Sequence, residues 1–555
     1  MTDRSKEDAG QGEVSPMLGR QTTVRIVPTL KQSHDGPAQE RPRHSNSKAV
    51  FAQCMVAGGV CVLGAAAGFP IGFSAVLLPQ LQHPNSSLST DDDMASWIAS
   101  IHSAATPVGS FFSGMLSDRW GRKLALMVST LPYIMGWLTL ALANSHALIL
   151  AGRVICGVAV GLIAVPAQVI LGEVAEPRIR GLLSGAPHMS YSLGILVVYI
   201  LGASLEWHLA AGLGVILPLV ALAVFSFLPE SPVWLARHGR VEEASKALVW
   251  LRGDDAVQAK RELRELITRL RAEDETVQLE SVCGSQKNIG GSQKNIGLGG
   301  SQKILSSIKN TLSASRPCNA YCQQEYLKPL MIVATFMLLQ IVCGTYLVIF
   351  YAVSLITRAD EERGVTGNEA INPFLAAVLT AVVRFMFVCI ASTLLFWVGR
   401  RPLAIVSGVA TSVAALALGT FLYHNGASEE PSPHASWIIA GLLLCYVAAN
   451  TLGFFVLPGV AVGELLPVKI RGAAGGYVFT IFNLALFGMT KVFPSFADSL
   501  GGHGVFWFFG LSTLLCTVFV YLFVPESKGR TLQEIEDYFK EKNIMWISRN
   551  RDNRI

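Results

Sequence analysis

The chain has 555 residues, of which 51% are hydrophobic and only 15% are charged, with a formal net charge of +5 at pH 7. Soluble proteins carry about 25% charged residues, so this composition argues against a soluble protein, and the small net charge gives no case for a nucleic-acid partner. The apolar residues instead lie in long blocks, and a block of about 18 or more residues predicts a membrane-spanning helix.

Residues 1–50 are polar throughout, which predicts a disordered cytoplasmic tail and not a secretory signal peptide. Six apolar blocks follow, each near the ~20 residues that a helix needs to cross a bilayer. We call them spans 1 to 6, and together they predict an N-terminal six-helix bundle over residues 51–228. They lie at 51–80, 95–116, 124–143, 147–172, 182–205 and 207–228.

Residues 229–328 differ in kind and predict a cytoplasmic insert. Within it, residues 240–275 carry apolar side chains at helical spacing among many charges, which is typical of amphipathic surface helices. From Gly284 a segment rich in Gly and Ser then repeats directly. Such a composition cannot build a core and predicts a flexible linker.

Six more apolar blocks, spans 7 to 12, predict a C-terminal six-helix bundle over residues 329–524, and residues 525–555 form a charged cytoplasmic tail. The spans lie at 329–357, 374–398, 402–423, 437–463, 473–497 and 504–524. The predicted fold class is an all-α membrane protein with twelve transmembrane helices in two halves and a cytoplasmic helical insert.

Cations in the short connections predict the orientation, because they accumulate on the cytoplasmic side. With both termini cytoplasmic, the outward loops hold only Arg358 and Arg363. The sequon at Asn85 then falls in the first outward loop, where glycosylation can occur, and we predict a multi-pass protein of the plasma membrane. The inward loops hold Arg119, Arg122, Lys123, Arg178, Arg180, Arg400, Arg401, Lys469 and Arg471.

Three short signatures occur in both halves in the same order, which indicates two similar units rather than a chance match. On the predicted topology all of them lie at the cytoplasmic face. They are Gly121-Arg122-Lys123 and Gly399-Arg400-Arg401, then Glu173 to Gly181 and Glu464 to Gly472, then Pro229-Glu230-Ser231 and Pro525-Glu526-Ser527.

Glu173 lies near the carboxyl end of span 4, where the helix dipole disfavours an anion. It therefore needs cations from elsewhere, and Arg122 and Arg180 are the obvious candidates. Such a network can hold two bundles together in one state and release them in another. The simpler interpretation is that these cations only anchor the chain to the inner face, but anchors do not require glutamates at fixed spacing.

Residues Gly114 to Lys123 resemble the signature between spans 2 and 3 of the major facilitator superfamily. The segments that begin at Pro229 and Val524 resemble those of its sugar porter family, and Phe350-Tyr351 with Thr490 to Phe493 resemble its facilitated trehalose transporters. The resemblance covers residues 51–540 apart from much of 276–325. It implies transport by alternating access, with a sugar held near the midplane between the halves.

The resemblance also implies a cytoplasmic salt-bridge cluster, which agrees with the chemistry of the repeated signatures. The second half has Phe396-Trp397 where the first has Asp118-Arg119, so its copy relies on Arg400 and Arg401 and the gate is predicted to be lopsided. The predicted cytoplasmic gate comprises Asp118, Arg119, Arg122, Glu173, Arg180, Glu230, Arg400, Arg401, Glu464, Arg471 and Glu526.

The central cavity departs from the family pattern. In span 7, Gln340 and Gly344 match, but Ile341, Cys343 and Tyr346 stand where the family has Gln, Ser and Asn. Elsewhere His188 replaces a glutamine, Gly459 a tryptophan, and Phe482-Asn483 an Asn-Trp pair. Sugar hydroxyls must be hydrogen-bonded once water is removed, so a cavity with fewer amides binds a polyol less well or binds a less polar solute.

We predict the substrate-binding residues Gln340, Tyr346, Tyr351, His188, Gln168 and Asn450. For Gln340 the alternative is a hydrogen bond between helices, and for the tyrosines it is plain packing. Arg384 and Lys491 are cations inside apolar blocks, where charge defaults to a functional hypothesis. The alternatives are a structural bond to carbonyls for Arg384 and, for Lys491, a side chain that extends to the outer interface.

Proton-coupled relatives carry a carboxylate in span 1, where this chain has Gly68-Phe69-Pro70-Ile71-Gly72. This favours facilitated diffusion, and the sequence predicts a facilitator for trehalose or a hexose. The alternatives are a transporter of the same fold for a less polar solute and a non-transporting nutrient sensor. No nucleophile–base pair or metal set stands at catalytic spacing, so we predict neither an enzyme nor a cofactor or metal.

Overall fold

The computed structural model describes residues 47–83, 88–176, 179–268, 270–271, 324–351, 373–426, 435–467, 471–528, 530 and 532–540. All regular structure in these ranges is helical. Nine of the described helices are long and apolar enough to cross a membrane. The predicted tail before residue 47, the Gly/Ser-rich linker and Asn85 lie outside the described residues.

Helices occur at all six apolar blocks of the first half. Span 6 was predicted as one continuous helix, but Gly214 and Val215 separate it into two. The bounds are Ser47–Gln82 for span 1, Asp92–Trp120 for span 2, Arg122–Ala141 for span 3, His146–Val174 for span 4, Arg180–Ser204 for span 5, and Trp207–Leu213 with Ile216–Phe227 for span 6.

The second half repeats this pattern with more interruptions. Spans 11 and 12 join end to end as one helical run, Arg471–Phe523, divided at Gly501. The other bounds are Gln324–Val342 with Leu347–Phe350 for span 7, Pro373–Trp397 for span 8, Arg400–Gly426 for span 9, and Ala435–Asn450, the π-helix Thr451–Phe455 and Leu457–Leu465 for span 10.

The predicted span 7, residues 329–357, is interrupted within its described part. The helix ends at Val342 and Gly344 takes a φ of +80°, a conformation that side chains other than glycine rarely adopt. A Cβ at Gly344 would also collide with Phe509 and the hydroxyl of Tyr446. The resulting turn places Thr345 and Tyr346 between two helical pieces, in the interior of the protein.

The core is formed by the contacts of helices that are distant in sequence. In the first half span 1 packs on span 5 and span 2 on span 4, and in the second half span 9 packs on the run that contains spans 11 and 12. The halves meet where span 2 contacts that same run and where span 5 contacts span 8. Large apolar side chains such as Phe227 and Leu142 remain exposed on the outside of the helices, which suits a lipid environment.

The start of the predicted insert is helical at Pro232–Arg237, Val241–Leu251 and 256–268, with an apolar cluster of its own. Arg252 connects this cluster to the transmembrane helices. Its guanidinium lies 2.8 Å from Glu262 and 3.5 Å from Glu176, just beyond the end of span 4, and donates to the carbonyl of Val174 at 3.4 Å.

Candidate functional site

Four helix ends of the first half meet at one ion-pair cluster. Arg122, at the start of span 3, donates to both carboxylate oxygens of Glu173 in span 4, at 3.2 and 3.1 Å. It also donates to Asp118 in span 2 at 3.1 Å, and Ser231 donates to Glu173. The Arg122 side chain is 6% exposed and that of Glu173 is 15% exposed. This is a bidentate, partly buried pair of the strong kind.

The second half builds the same arrangement. Arg400, at the start of span 9, donates to both oxygens of Glu464 at 3.2 and 2.8 Å, and Ser527 donates to Glu464 at 2.5 Å. These two charged side chains are more exposed, at 25% and 27%. A small pocket of about 20 Å³, lined in part by Phe336, lies beside these two charged side chains.

The glutamates of the Pro-Glu-Ser signatures bind backbone rather than side chains. Glu230 accepts from the amides of Arg122 at 3.0 Å and Lys123 at 3.1 Å, and Glu526 accepts from Arg400 at 3.0 Å and Arg401 at 3.1 Å. An anion at a helix amino terminus meets unpaired N–H groups and the favourable end of the dipole. Each carboxylate thus caps a transmembrane helix, a role that the sequence analysis missed.

Gly121 and Gly399 explain how the carboxylates come so close. Gly121 has a φ of +101°, and a Cβ at either glycine would overlap the carboxylate that caps the next helix. The two residues of each Gly-Arg pair therefore act together. The glycine leaves space for the carboxylate that caps the next helix, and the arginine binds the glutamate of span 4 or span 10.

Arg119 and Arg401 are placed differently from Arg122 and Arg400. Arg119 is exposed at the end of span 2. The side chain of Arg401 donates to the carbonyl of Tyr521 at 2.5 Å and lies over the Tyr521 ring, while its backbone amide donates to Glu526. The expectation that Glu464 relies on Arg400 and Arg401 stays a prediction, and the described bonds of Glu464 are with Arg400 and Ser527. The described ion pairs of each cluster stay within one half. The side chains of Arg180 and Arg471 lie outside the described part, and the link between the halves stays a prediction.

In the interior, two of the expected substrate-binding residues, Gln340 and Tyr346, lie close together. Gln340 donates to the carbonyl of Phe455, in the π-helix of span 10, at 3.5 Å and lies within hydrogen-bonding range of Tyr346. The Tyr346 ring packs against Phe455 at 5.9 Å and Phe482 at 5.3 Å. Asn450 precedes the π-helix, and both polar atoms of its buried amide lack a partner among the described residues. A π-helical turn inside a helix frequently marks a functional site.

His188 extends this region into the first half. A Cβ at Gly459 in span 10 would lie 2.8 Å from its Nε2, so the glycine at the family's tryptophan position makes room for the imidazole. Its Nδ1 has no partner among the described residues. Tyr191, one turn along span 5, packs against Phe455 at 6.1 Å. Polar side chains from spans 5, 7 and 10 thus face one another across the two halves.

Two other candidates are placed differently. Tyr351 donates its hydroxyl to the carbonyl of Thr490 at 2.8 Å and packs against the Phe493 ring, tilted to it, at 5.0 Å, so it connects spans 7 and 11. Gln168 is exposed on span 4 and makes no described contact with the other candidates. Tyr199, which the sequence analysis did not select, donates to the carbonyl of Ile349 at 2.5 Å and so joins spans 5 and 7 across the halves.

Lys491 reaches the other half of the molecule. Its Nζ lies 2.6 Å from Asp93 Oδ1 and 2.6 Å from Ser96 Oγ, both at the start of span 2, and 4.5 Å from the centroid of the Trp97 ring. Trp97 also packs against Phe487 of span 11. On the predicted orientation this contact lies at the outer ends of spans 2 and 11.

A family profile described as "Sugar (and other) transporter" matches residues 56–291 and 299–539. The chain belongs to the sugar transporter family. The chain is therefore a multi-pass membrane transporter and not an enzyme, and the predicted family and fold class are confirmed.

Named relatives of this sugar transporter include facilitated trehalose transporters Tret1. The protein from Polypedilum vanderplanki is 31% identical over 92% of this chain and 93% of its own length, and that from Culex quinquefasciatus is 31% identical over 88% and 86%. Among solved structures, the E. coli proton:xylose symporter XylE bound to 6-bromo-6-deoxy-D-glucose has a TM-score of 0.64 at 20% identity, covering 89% of this chain and 100% of its own. That likeness shows the fold.

Lys491→Met is expected to weaken closure at the outer ends of this transporter. Asp93 is 76% exposed, and an exposed ion pair contributes about 0.2–1 kcal/mol. We therefore expect the outward-open fraction to rise by up to roughly fivefold. The measurement is the labelling rate of a Ser100→Cys variant, in a cysteine-free background, by an impermeant thiol reagent. Lys528→Met, on the exposed cytoplasmic side, is the control, and an unchanged labelling rate would contradict the prediction.

Proposed function

We propose that this transporter carries a sugar, trehalose or a hexose, by facilitated diffusion and alternating access. The observation that supports it best is the set of buried polar atoms without described partners where spans 5, 7 and 10 face one another, at His188, Thr345 and Asn450. Unpartnered buried polar groups are costly. Sugar hydroxyls both donate and accept, so a bound sugar relieves that cost between the two halves.

The absence of a coupled proton is proposed from the conformation of span 1. The carbonyl of Pro70 accepts from Arg153 Nη1 at 2.6 Å, and Ser74 accepts from Nη2. This arginine is therefore bound by backbone and hydroxyl oxygens, none of which titrates near neutral pH. A buried arginine held in this way keeps its own proton near neutral pH.

The proposed location is the plasma membrane, with both termini and the insert in the cytoplasm. The cation bias of the connecting loops supports this orientation. It places the clusters of Arg122 and Arg400 on the cytoplasmic side and the Lys491 contact outside. The matching arrangement of the two clusters suits a gate in which each half moves as a rigid body.

The test is uptake of radiolabelled trehalose and glucose by proteoliposomes that contain the purified chain. We expect at least one sugar to equilibrate without accumulating when a pH gradient is imposed. Gln340→Ala removes a buried amide near Tyr346 and is expected to lower the uptake rate by about tenfold, since a hydrogen bond contributes roughly 0.5–1.5 kcal/mol. Gln258→Ala, on a cytoplasmic helix, is the matched control.

Each alternative has its own outcome in this experiment. Uphill accumulation under the pH gradient would show proton coupling. Flux of a less polar solute with no flux of either sugar would favour the same fold with another substrate. Sugar binding to the purified protein without any flux would favour a nutrient sensor.

A further inference from the structure

Arg384 is a buried cation in the middle of span 8. Its residue is 4% exposed, and its guanidinium lies 5.5 Å from the centroid of the Phe455 ring. It makes one hydrogen bond within the described part of the chain, from Nη1 to the carbonyl of Thr345 at 3.5 Å, and no described carboxylate pairs with it. A charge held in this way is costly in a membrane interior unless something completes its shell.

Arg153 shows what a structural arginine looks like in the same protein. It is fully buried in span 4 and donates to the carbonyls of Ile98, Pro70 and Ala99, at 3.1, 2.6 and 3.2 Å, and to the Ser74 hydroxyl. A guanidinium has five N–H donors. Arg153 thus has most of its donors satisfied by protein oxygens, whereas the one long bond of Arg384 leaves most of its donors for another acceptor.

Within the described part of the chain, the groups around Arg384 do not supply a negative charge. The ionisable side chains described there are four tyrosines, Tyr191, Tyr199, Tyr346 and Tyr446, and a tyrosine is neutral near pH 7. Two of them come from span 5 of the first half and two from the second half. Arg384 therefore lies at the interface between the halves, where the proposed function places the bound solute.

Uncharged polar groups accompany this cation. The Thr345 hydroxyl and the Asn450 amide are buried without described partners, and Gln340 lies beside Tyr346. The set combines one positive charge with hydroxyls and amides that suit a polyol. A neutral sugar satisfies the uncharged groups but leaves the guanidinium without a counter-charge.

We propose that Arg384 binds the carboxylate of a sugar acid, so that the transporter carries a hexuronate in addition to neutral sugars. The planar guanidinium matches a carboxylate through two parallel N–H···O bonds, and a single cation balances a single carboxylate charge. The sugar hydroxyls then bind Asn450 and Gln340. This inference rests on the proposed function, because it places the acid in the same cavity.

The experiment compares uptake of radiolabelled D-glucuronate, D-glucose and trehalose by proteoliposomes at a set membrane potential. Transport of a monoanion moves charge, so an inside-positive potential of 100 mV is expected to drive roughly 50-fold accumulation of D-glucuronate. The neutral sugars should only equilibrate. A residue that merely stabilises the fold would not create this dependence on potential.

Arg384→Gln is expected to lower D-glucuronate uptake roughly 10- to 150-fold, the range for losing a charge-assisted hydrogen bond, while neutral sugar uptake falls less or rises. Arg384→Lys keeps the positive charge but lacks the planar guanidinium, and should give an intermediate rate of D-glucuronate uptake. If Arg384→Gln fails to fold, the Arg384→Lys variant still tests the inference. Arg261→Gln removes an exposed cytoplasmic arginine and serves as the control.

Three results would overturn the inference. Neutral sugar uptake without any D-glucuronate uptake would refute the acid site alone and leave the proposed function standing. Equal losses of neutral and acidic sugar uptake in both Arg384 variants would show that the arginine has a structural role and does not bind the acid. No flux of any of the three sugars would refute the inference and the proposed function together.

Discussion

Glu173→Gln is expected to slow sugar uptake more than Glu464→Gln. Both substitutions remove one charge from a bidentate pair, but the first pair is the more deeply buried, with Arg122 at 6% exposure against 25% for Arg400. Breaking a buried pair leaves an uncompensated charge at a cost of about 3–5 kcal/mol, and an exposed pair contributes about 1 kcal/mol or less. Because the second pair is itself partly buried, we expect the two costs to differ by about one or two kcal/mol, which corresponds to roughly 5- to 30-fold in the uptake rate.

Glu173→Gln is expected to have the larger effect because the contacts of the Glu173 charge are more buried than those of the Glu464 charge. Without the Glu173 charge, Arg122 keeps Asp118, whose side chain is 79% exposed, and the carbonyl of Ser117. Both lie in span 2, so spans 2, 3 and 4 lose their common contact. Arg400 is already open to solvent, so water can replace part of what Glu464 supplied. The expected effect is a change in the equilibrium between the transporter's conformations as well as in stability.

The measurement is the initial uptake rate in proteoliposomes, per folded protein, for the two single variants. A double variant, Glu173→Gln with Arg122→Gln, removes both charges and should recover part of the loss, because a neutral pair leaves no buried charge behind. Glu265→Gln, on a cytoplasmic helix, is the control for carboxylate loss at the surface. Equal effects of the two glutamate variants would refute the ordering.

Replacing Arg153 should have the largest effect on folding. Its guanidinium holds Pro70 and Ser74 of span 1 and Ile98 and Ala99 of span 2 against span 4. Arg153→Leu removes all four bonds and leaves a buried hydroxyl and a poorly filled space. We expect the free energy of unfolding to fall by about 3–5 kcal/mol, the range for strong core defects.

Arg153→Lys tests whether stability depends on the positive charge alone or on the several hydrogen bonds of the guanidinium. A lysine is a point charge with three donors on a flexible stem, so it cannot reach four oxygens on two helices at once, and most of the loss should remain. Thermal unfolding in detergent, with the monodisperse fraction from size exclusion, measures both variants against Arg261→Leu. A melting temperature for Arg153→Lys equal to that of the unsubstituted chain would show that the four bonds are not needed.

The ion pairs of the two clusters could be anticipated from the sequence, because the signatures recur in order and carry opposite charges near helix ends. The capping role of Glu230 and Glu526 could not be. It depends on how the segment after the last span of each half returns to the start of span 3 or span 9, and on a glycine that leaves space there. The exposed position of Arg119 could not be predicted for a related reason, since the direction of a side chain is set by helix rotation.

The length of the apolar blocks and the pattern of the sequence were sufficient to predict the membrane architecture. Long apolar blocks, short cationic connections and repeated signatures are local features, and the hydrophobic effect acts on them whatever the partners are. The sequence therefore determined the family, the spans and the repeated charge pairs. Within the described residues, the helices depart from the predicted spans where the backbone interrupts them, as at Gly344 in span 7 and at Gly214 and Val215 in span 6.

Only the tertiary structure decided which polar groups meet between the halves. His188 lies against Gly459, Gln340 reaches the π-helix at Phe455, and Arg384 remains with one weak bond while Arg153 has four. Both arginines look alike in the sequence, as lone cations in apolar helices. Their difference comes from hydrogen-bond partners in other spans, 39 residues away for Arg384 and up to 83 residues away for Arg153. Those contacts are set by packing, which no local pattern encodes.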